Sequence, residues 1–240
     1  MRKNILVYGF VLGVLLFTVK ANATIRYVKT GSAGTAPYTT WATASNDLQA
    51  VINQCIAGDE IWIATGTYKP NRRADALTVI TATDRNDAFV LKNAVKVYGG
   101  FTGVETLLSQ RNSTANVATL SGDIGTVGVT TDNCYHVVIL ANTASTTTLM
   151  DGVSIISGNA NAAALVPSIT VNTFSINPRF GGGMYKVSSA ADITDCKFRR
   201  NDASLSGAGI YETLSSSASV YTNCSVVQNV CADDGGGIYI

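Results

Sequence analysis

The chain has 240 residues, with 17 Lys+Arg against 16 Asp+Glu, one His and a formal net charge of +1. So even a balance supplies no basic field, which argues against nucleic acid as a partner. Charged residues at 14% and 22 glycines fit a small-residue-rich β protein and not a soluble helical one.

Residues 1–23 read as an export signal. Arg2 and Lys3 form a basic start, residues 5–19 a mostly apolar run too short to span a membrane, and Ala21-Asn22-Ala23 a small-x-small cleavage site. Losing Arg2, Lys3 and Lys20 leaves 14 basic and 16 acidic residues, net −2, in a mature chain beginning at Thr24. No later segment is long and apolar enough to cross a bilayer. Residues 25–28 are a strand and 31–38 a Gly/Ser/Pro loop. Residues 46–57 are the one convincing helix: Leu48, Val51, Ile52, Cys55 and Ile56 recur at three and four. Asn46 or Asp47 caps its start and Gly58 ends it. A strand at 59–64 and a turn at 65–70 follow. Residues 71–86 are polar and loop out. Strands at 88–91 and 94–98 lead into a turn at Gly99-Gly100, and 105–111 form a short helical piece. Residues 118–122 open a new repeat, with further strands at 135–140 and 148–156.

From Phe180 onward the chain writes one unit almost three times. Gly181-Gly182-Gly183-Met184-Tyr185, Gly207-Ala208-Gly209-Ile210-Tyr211 and Gly235-Gly236-Gly237-Ile238-Tyr239 open the copies. The segments running from Cys196 to Asn201 and from Cys224 to Asn229 continue the first two. Tyr185 to Tyr211 is 26 residues, and Tyr211 to Tyr239 and Cys196 to Cys224 are 28 each. Such a unit cannot bury its apolar side alone, so copies stack about 4.8 Å apart. Stacking predicts the columns Met184/Ile210/Ile238, Tyr185/Tyr211/Tyr239, Cys196/Cys224, Phe198/Val226 and Asn201/Asn229. Successive strand residues face opposite ways, so the aliphatic column lies inside and the tyrosine column outside. Matching Val153 to Cys196 aligns an earlier copy at an offset of 43, with residues 162–179 as a lateral insertion.

These residues carry a resemblance. The G-[GA]-G-[IM]-Y unit followed by x-C-x-[FV]-x-x-N is similar to the polymorphic outer-membrane-protein-type repeats of exported Bacteroidetes surface proteins. It implies an all-β, right-handed parallel β-helix, a pectate-lyase-like solenoid. The helix near the N-terminus is expected to cap its open end. The expected layout is a signal peptide at 1–23, a strand and capping helix at 24–58, and six or seven rungs over 59–240. The last copy opens a rung and stops, so the solenoid is expected to be incomplete at its C-terminus.

Candidate chemistry is sparse. Of the five cysteines, Cys55, Cys196 and Cys224 read as buried thiols and Cys231 as the exposed one; no spacing suggests a metal site. His136 lies in an apolar strand with no nucleophile motif beside it. Lys197 and Arg199 point outward near Asp195, Asp202, Asp233 and Asp234, without converging on a carboxylate pair. The glycine runs have no following helix to cradle phosphate. No catalytic residue, metal or cofactor is expected. Asn201/Asn229 reads as an internal amide ladder, and Tyr185, Tyr211 and Tyr239 as the exposed row able to meet a ligand. The resemblance implies a non-catalytic, adhesin-like protein at the extracellular or outer-membrane surface, binding glycans or host and matrix surfaces. A polysaccharide lyase or glycoside hydrolase, and a stalk for a further domain, are the alternatives.

Overall fold

The computed structural model describes residues 23–81, 83–214 and 219–240; the export-signal reading of 1–22 lies outside them. The described residues are predominantly β, with one α-helix and strands assembled mostly into parallel sheets. Sheet I stacks Ile25–Val28, Glu60–Ala64, Lys96–Phe101, Leu149–Asp151, Asp192–Thr194 and Tyr221–Thr222 in that order. Sheet II stacks Gly66–Tyr68, Ala118–Ser121, Val153–Ile156, Lys197–Arg199 and Ser225–Val227. Sheet III stacks Phe89–Val90, Val138–Ala141, Met184–Val187, Ile210–Thr213 and Ile238–Tyr239. A small fourth sheet joins Asn159–Ala160, Asp202–Ala203 and Val230–Cys231. From Phe89 on, the chain visits sheets III, I and II in the same order on each pass, an arrangement compatible with a parallel β-helix.

The register is the one the repeats demand. Met150 pairs with Ile193 and Ile155 with Phe198, the offset of 43; Phe198 pairs with Val226, the offset of 28. Met184, Ile210 and Ile238 stack, as do Tyr185, Tyr211 and Tyr239. Inward side chains from all three sheets meet in one core, including Ile61, Val97, Met150 and Ile193 from sheet I, Leu120, Ile155 and Phe198 from sheet II, and Phe89, Val138 and Met184 from sheet III.

The corners explain how unlike sequences stack. Gly152, Asp195 and Asn223 occupy the same corner on three passes and all have positive φ (74°, 50° and 52°). Ser157, Arg200 and Gln228 do the same after sheet II, and Asn142, Ser188 and Leu214 after sheet III. One left-handed residue bends the strand while its N–H still points to the next pass: Asp195 donates to the Thr222 carbonyl and Arg200 to that of Gln228. Before sheet III the same role falls to Gly181, Gly207 and Gly235, where a Cβ would press within 2.8 Å or less of backbone oxygen. Asn201 is fully buried: its Oδ1 accepts from Gly158 N at 2.9 Å, and its Nδ2 donates to Asn229 Oδ1 at 3.0 Å, forming the expected amide ladder.

Three local expectations are corrected. Residues 65–70 are not only a turn, because Gly66–Tyr68 pairs with Ala118–Ser121. Gly99-Gly100 does not turn the chain; both lie inside Lys96–Phe101, where Gly100 is skipped in the pairing as a bulge. Ala118–Ser121 closes a pass begun at Phe89 and does not open one.

The helix runs Leu48–Gln54, shorter than periodicity alone suggests. Asp47 Oδ1 caps it by accepting from Ala50 N at 2.9 Å. Burial pushes the Asp47 carboxyl up, but hydrogen bonds from Asn71, Arg72 and Ala50 outweigh it and hold the group below its ordinary value. Leu48, Val51 and Ile52 enter the core, and Gln49 Oε1 accepts from Val90 N at 2.9 Å, satisfying the edge of sheet III.

Candidate functional site

On sheet III alternation sends Met184 and Ile210 into the core and Tyr185 and Tyr211 to the opposite side, as expected. That side is not open throughout. The insertion at 162–179 contains an antiparallel hairpin, Ile169–Val171 with Phe174–Ile176, whose turn residues Asn172 and Thr173 both have positive φ. Val171 and Ile176 from the hairpin, and Ala74 from the 71–86 excursion, pack with Val90, Ile139, Tyr185 and Val187 into a second apolar cluster. The exposed-row expectation is corrected here: Tyr185 is 5% exposed, Tyr211 is half-buried and Tyr239 is 40% exposed. The predicted row is a gradient along the stacking direction.

The rings pack on one another. Tyr185 and Tyr211 have centroids 5.1 Å apart, and Tyr211 and Tyr239 5.4 Å apart at an interplanar angle of 14°. Phe180, from the loop before Gly181, stacks on Tyr211 at 4.7 Å. The faces of Tyr211 are therefore occupied by its neighbours. What the column offers a ligand is ring edges and phenol hydroxyls. Burial pushes the Tyr185 hydroxyl up to about 12, so it stays protonated.

His136 lies beneath this column. Its ring meets that of Tyr185 edge-on at 5.3 Å, and its Nδ1 is 3.0 Å from the Gly181 carbonyl. Burial pushes the imidazole down to about 4, against the raising effect of backbone hydrogen bonds. It is a neutral, satisfied core histidine.

All five cysteines are free. Cys55, Cys134 and Cys196 are buried; burial pushes the Cys55 thiol up to about 12 and raises those of Cys134 and Cys196 too. Cys224 is half-buried, as is Cys231, which was expected exposed and instead donates to the Leu205 carbonyl. Among the acids, Asp195 accepts from Asn223 Nδ2 and burial raises Asp202, while Asp233 and Asp234 are exposed. Among the described residues no three His, Cys, Asp or Glu are grouped to hold a metal ion.

Two arrangements escaped sequence reasoning. Lys186 and Glu212 pair in register inside the core side of sheet III, fully buried, with Nζ 3.5 Å from Oε1. Ser219 and Tyr221 hydroxyls donate to the Glu212 carboxylate. Burial lowers the Lys186 amine and Glu212 opposes that. The signal was present: if Tyr185 faces out, Lys186 must face in. The second is an outward aromatic column on sheet I, in which Tyr27 pairs with Trp62 and Trp62 with Tyr98. Trp41 and Phe101 seal it, but Trp41 lies far from the strands in sequence.

No family model, no curated protein and no solved structure matches this chain.

Proposed function

We propose that the stacked passes are the rungs of a right-handed parallel β-helix, exported by the 1–23 signal and capped by residues 24–58. It acts as a non-catalytic, adhesin-like protein of the cell surface. In this reading sheet III is its lateral binding face for polysaccharide on a host or matrix surface, with Tyr185, Tyr211 and Tyr239 at its centre. One observation carries the reading: both lateral excursions, 71–86 and 162–179, pack on this one face, and Tyr211 on the same face stays half-buried. Excursions from a rigid scaffold are where binding concentrates.

Because the Tyr211 ring faces are occupied, recognition at Tyr211 runs through its phenol hydroxyl and ring edge. Screening the purified chain on a glycan array tests this. Tyr211→Ala is expected to weaken the captured glycans at least tenfold. Tyr211→Phe, which keeps the stack and deletes the hydroxyl, is expected to lose most of the same binding. Unchanged binding in both variants would remove the sheet III face from the proposal.

A further inference from the structure

Among the described residues, most arginines are engaged by the fold. Arg26 is paired with Asp59, Arg72 with Asp47, Arg73 with Asp75 and Asp84, and Arg111 with Asp151. Arg85 donates to the carbonyls of Asn133 and Asn159 and lies over the Tyr135 ring at 4.2 Å. Arg179 lies 3.5 Å from Ser204 Oγ. These side chains serve the fold. Arg199 and Arg200 differ, and Lys197 with them: all three are exposed, and among the described residues none has a hydrogen-bonding or ion-pair partner for its side chain.

Their placement is fixed by packing. In Lys197–Arg199 the middle residue, Phe198, is fully buried in the core, so Lys197 and Arg199 must project outward from sheet II. Two residues along a strand sets them about 6.6 Å apart at the backbone. Arg200 follows at the corner with φ 55°. The neighbouring passes place no carboxylate opposite them: Lys197 lies between Ser154 and Ser225, and Arg199 between Ile156 and Val227. Thr119 pairs with Ser154, so hydroxyl residues Thr119, Ser154 and Ser225 share the Lys197 column along the stacking direction. Asp195, the nearest acid before the strand, is engaged by Asn223.

We infer that this outward strip of sheet II is a binding surface for an acidic polysaccharide, one bearing carboxylate or sulfate groups along its length. The inference rests on the polysaccharide reading for its ligand class, but uses a different face from the tyrosine column. Arginine forks match carboxylate and sulfate groups bidentately, and a lysine adds a point charge. The exposed Ser225 hydroxyl beside Lys197 can exchange hydrogen bonds with the sugar hydroxyls; Ser154, on its other side, is buried. A strand anchored through Phe198 holds the charges without an ordering cost at the backbone. Nucleic acid fits less well: the strip offers three cations and no exposed aromatic residue for base stacking.

The test uses the purified chain with three immobilised polysaccharides, polygalacturonate, heparin and uncharged dextran, and with duplex DNA of matched length. Binding to polygalacturonate or heparin is expected, weakening as salt is raised. Lys197→Glu with Arg199→Glu is expected to lower it at least tenfold, with the thermal unfolding midpoint unchanged. If the reversal destabilises the chain, Lys197→Gln with Arg199→Gln must reproduce the loss. Acidic chains bound equally by these variants, or not bound at all, overturn the inference. So does DNA binding as strong as that of the acidic glycans. Binding of dextran alone, lost in Tyr211→Ala, overturns the strip while leaving the sheet III reading intact.

Discussion

Two outward aromatic columns rise along this molecule, and they meet different fates. On sheet I, Tyr27, Trp62 and Tyr98 lie under Trp41 and Phe101. Trp62 stacks on Phe101 at 4.6 Å with an interplanar angle of 9°, and the Trp41 Nε1–H donates to the Glu105 carbonyl at 2.8 Å. On sheet III, only Tyr185 is covered. Alternation puts aromatics outside in both places. Whether outside means a second core or a surface is settled by whether another segment of the chain folds back over the column.

That contrast yields a graded set of expectations. Trp62→Ala removes a large side chain from a sealed cluster and is expected to cost about 3–5 kcal/mol. Tyr211→Ala, half-exposed, is expected to cost less than half of that. Urea unfolding of the two variants side by side measures the difference, and equal losses would mean that the two columns are energetically alike.

The cover over sheet III also hides two titrating groups that respond to acid in opposite senses. His136 is held near 4, below its ordinary 6.5. Its contribution is present above pH 6.5 and lost as pH falls toward 4, on the order of 3 kcal/mol at most. His136→Gln is expected to flatten that part of a thermal-stability profile. Asp87, fully buried just after the 71–86 excursion, runs the other way. Burial pushes it up to about 6, against the hydrogen bond from Thr81 at 2.5 Å, and its Oδ2 has no partner. The folded chain therefore keeps a proton that the unfolded chain releases above pH 3.8, and stability falls as pH rises from 3.8 to 6. Asp87→Asn is expected to gain about 1–3 kcal/mol at pH 7 and nothing below pH 3.8. A gain that persists in acid would place its origin elsewhere than in charge burial.

Much of the fold was legible because stacking leaves register little freedom. The offsets 43, 26 and 28, read from Val153/Cys196, Tyr185/Tyr211 and Cys196/Cys224, recur in the observed pairing. The amide ladder and the site of the insertion were visible for the same reason. What was not legible came from residues whose local signal has two meanings. Gly99-Gly100 reads as a turn but serves as a bulge, and the Gly66–Tyr68 strand is too short to show alternation. At the candidate site, spacing placed the tyrosines on one face but carried no information about the hairpin covering Tyr185. The exposed Lys197 and Arg199 were visible as outward residues. Their lack of partners, shared with Arg200, emerged only when the other described arginines had found theirs.

The hairpin at Ile169–Ile176 has a consequence for how such a molecule can change. It enters and leaves between the small sheet and sheet III without disturbing a single corner: Ser157, Arg200 and Gln228 keep the same left-handed bend with it or without it. The scaffold thus behaves as a mounting rail, with a slot at one fixed angular position. A peptide of foreign sequence grafted at Asn172-Thr173 changes what the flank displays and leaves the rail's pitch untouched.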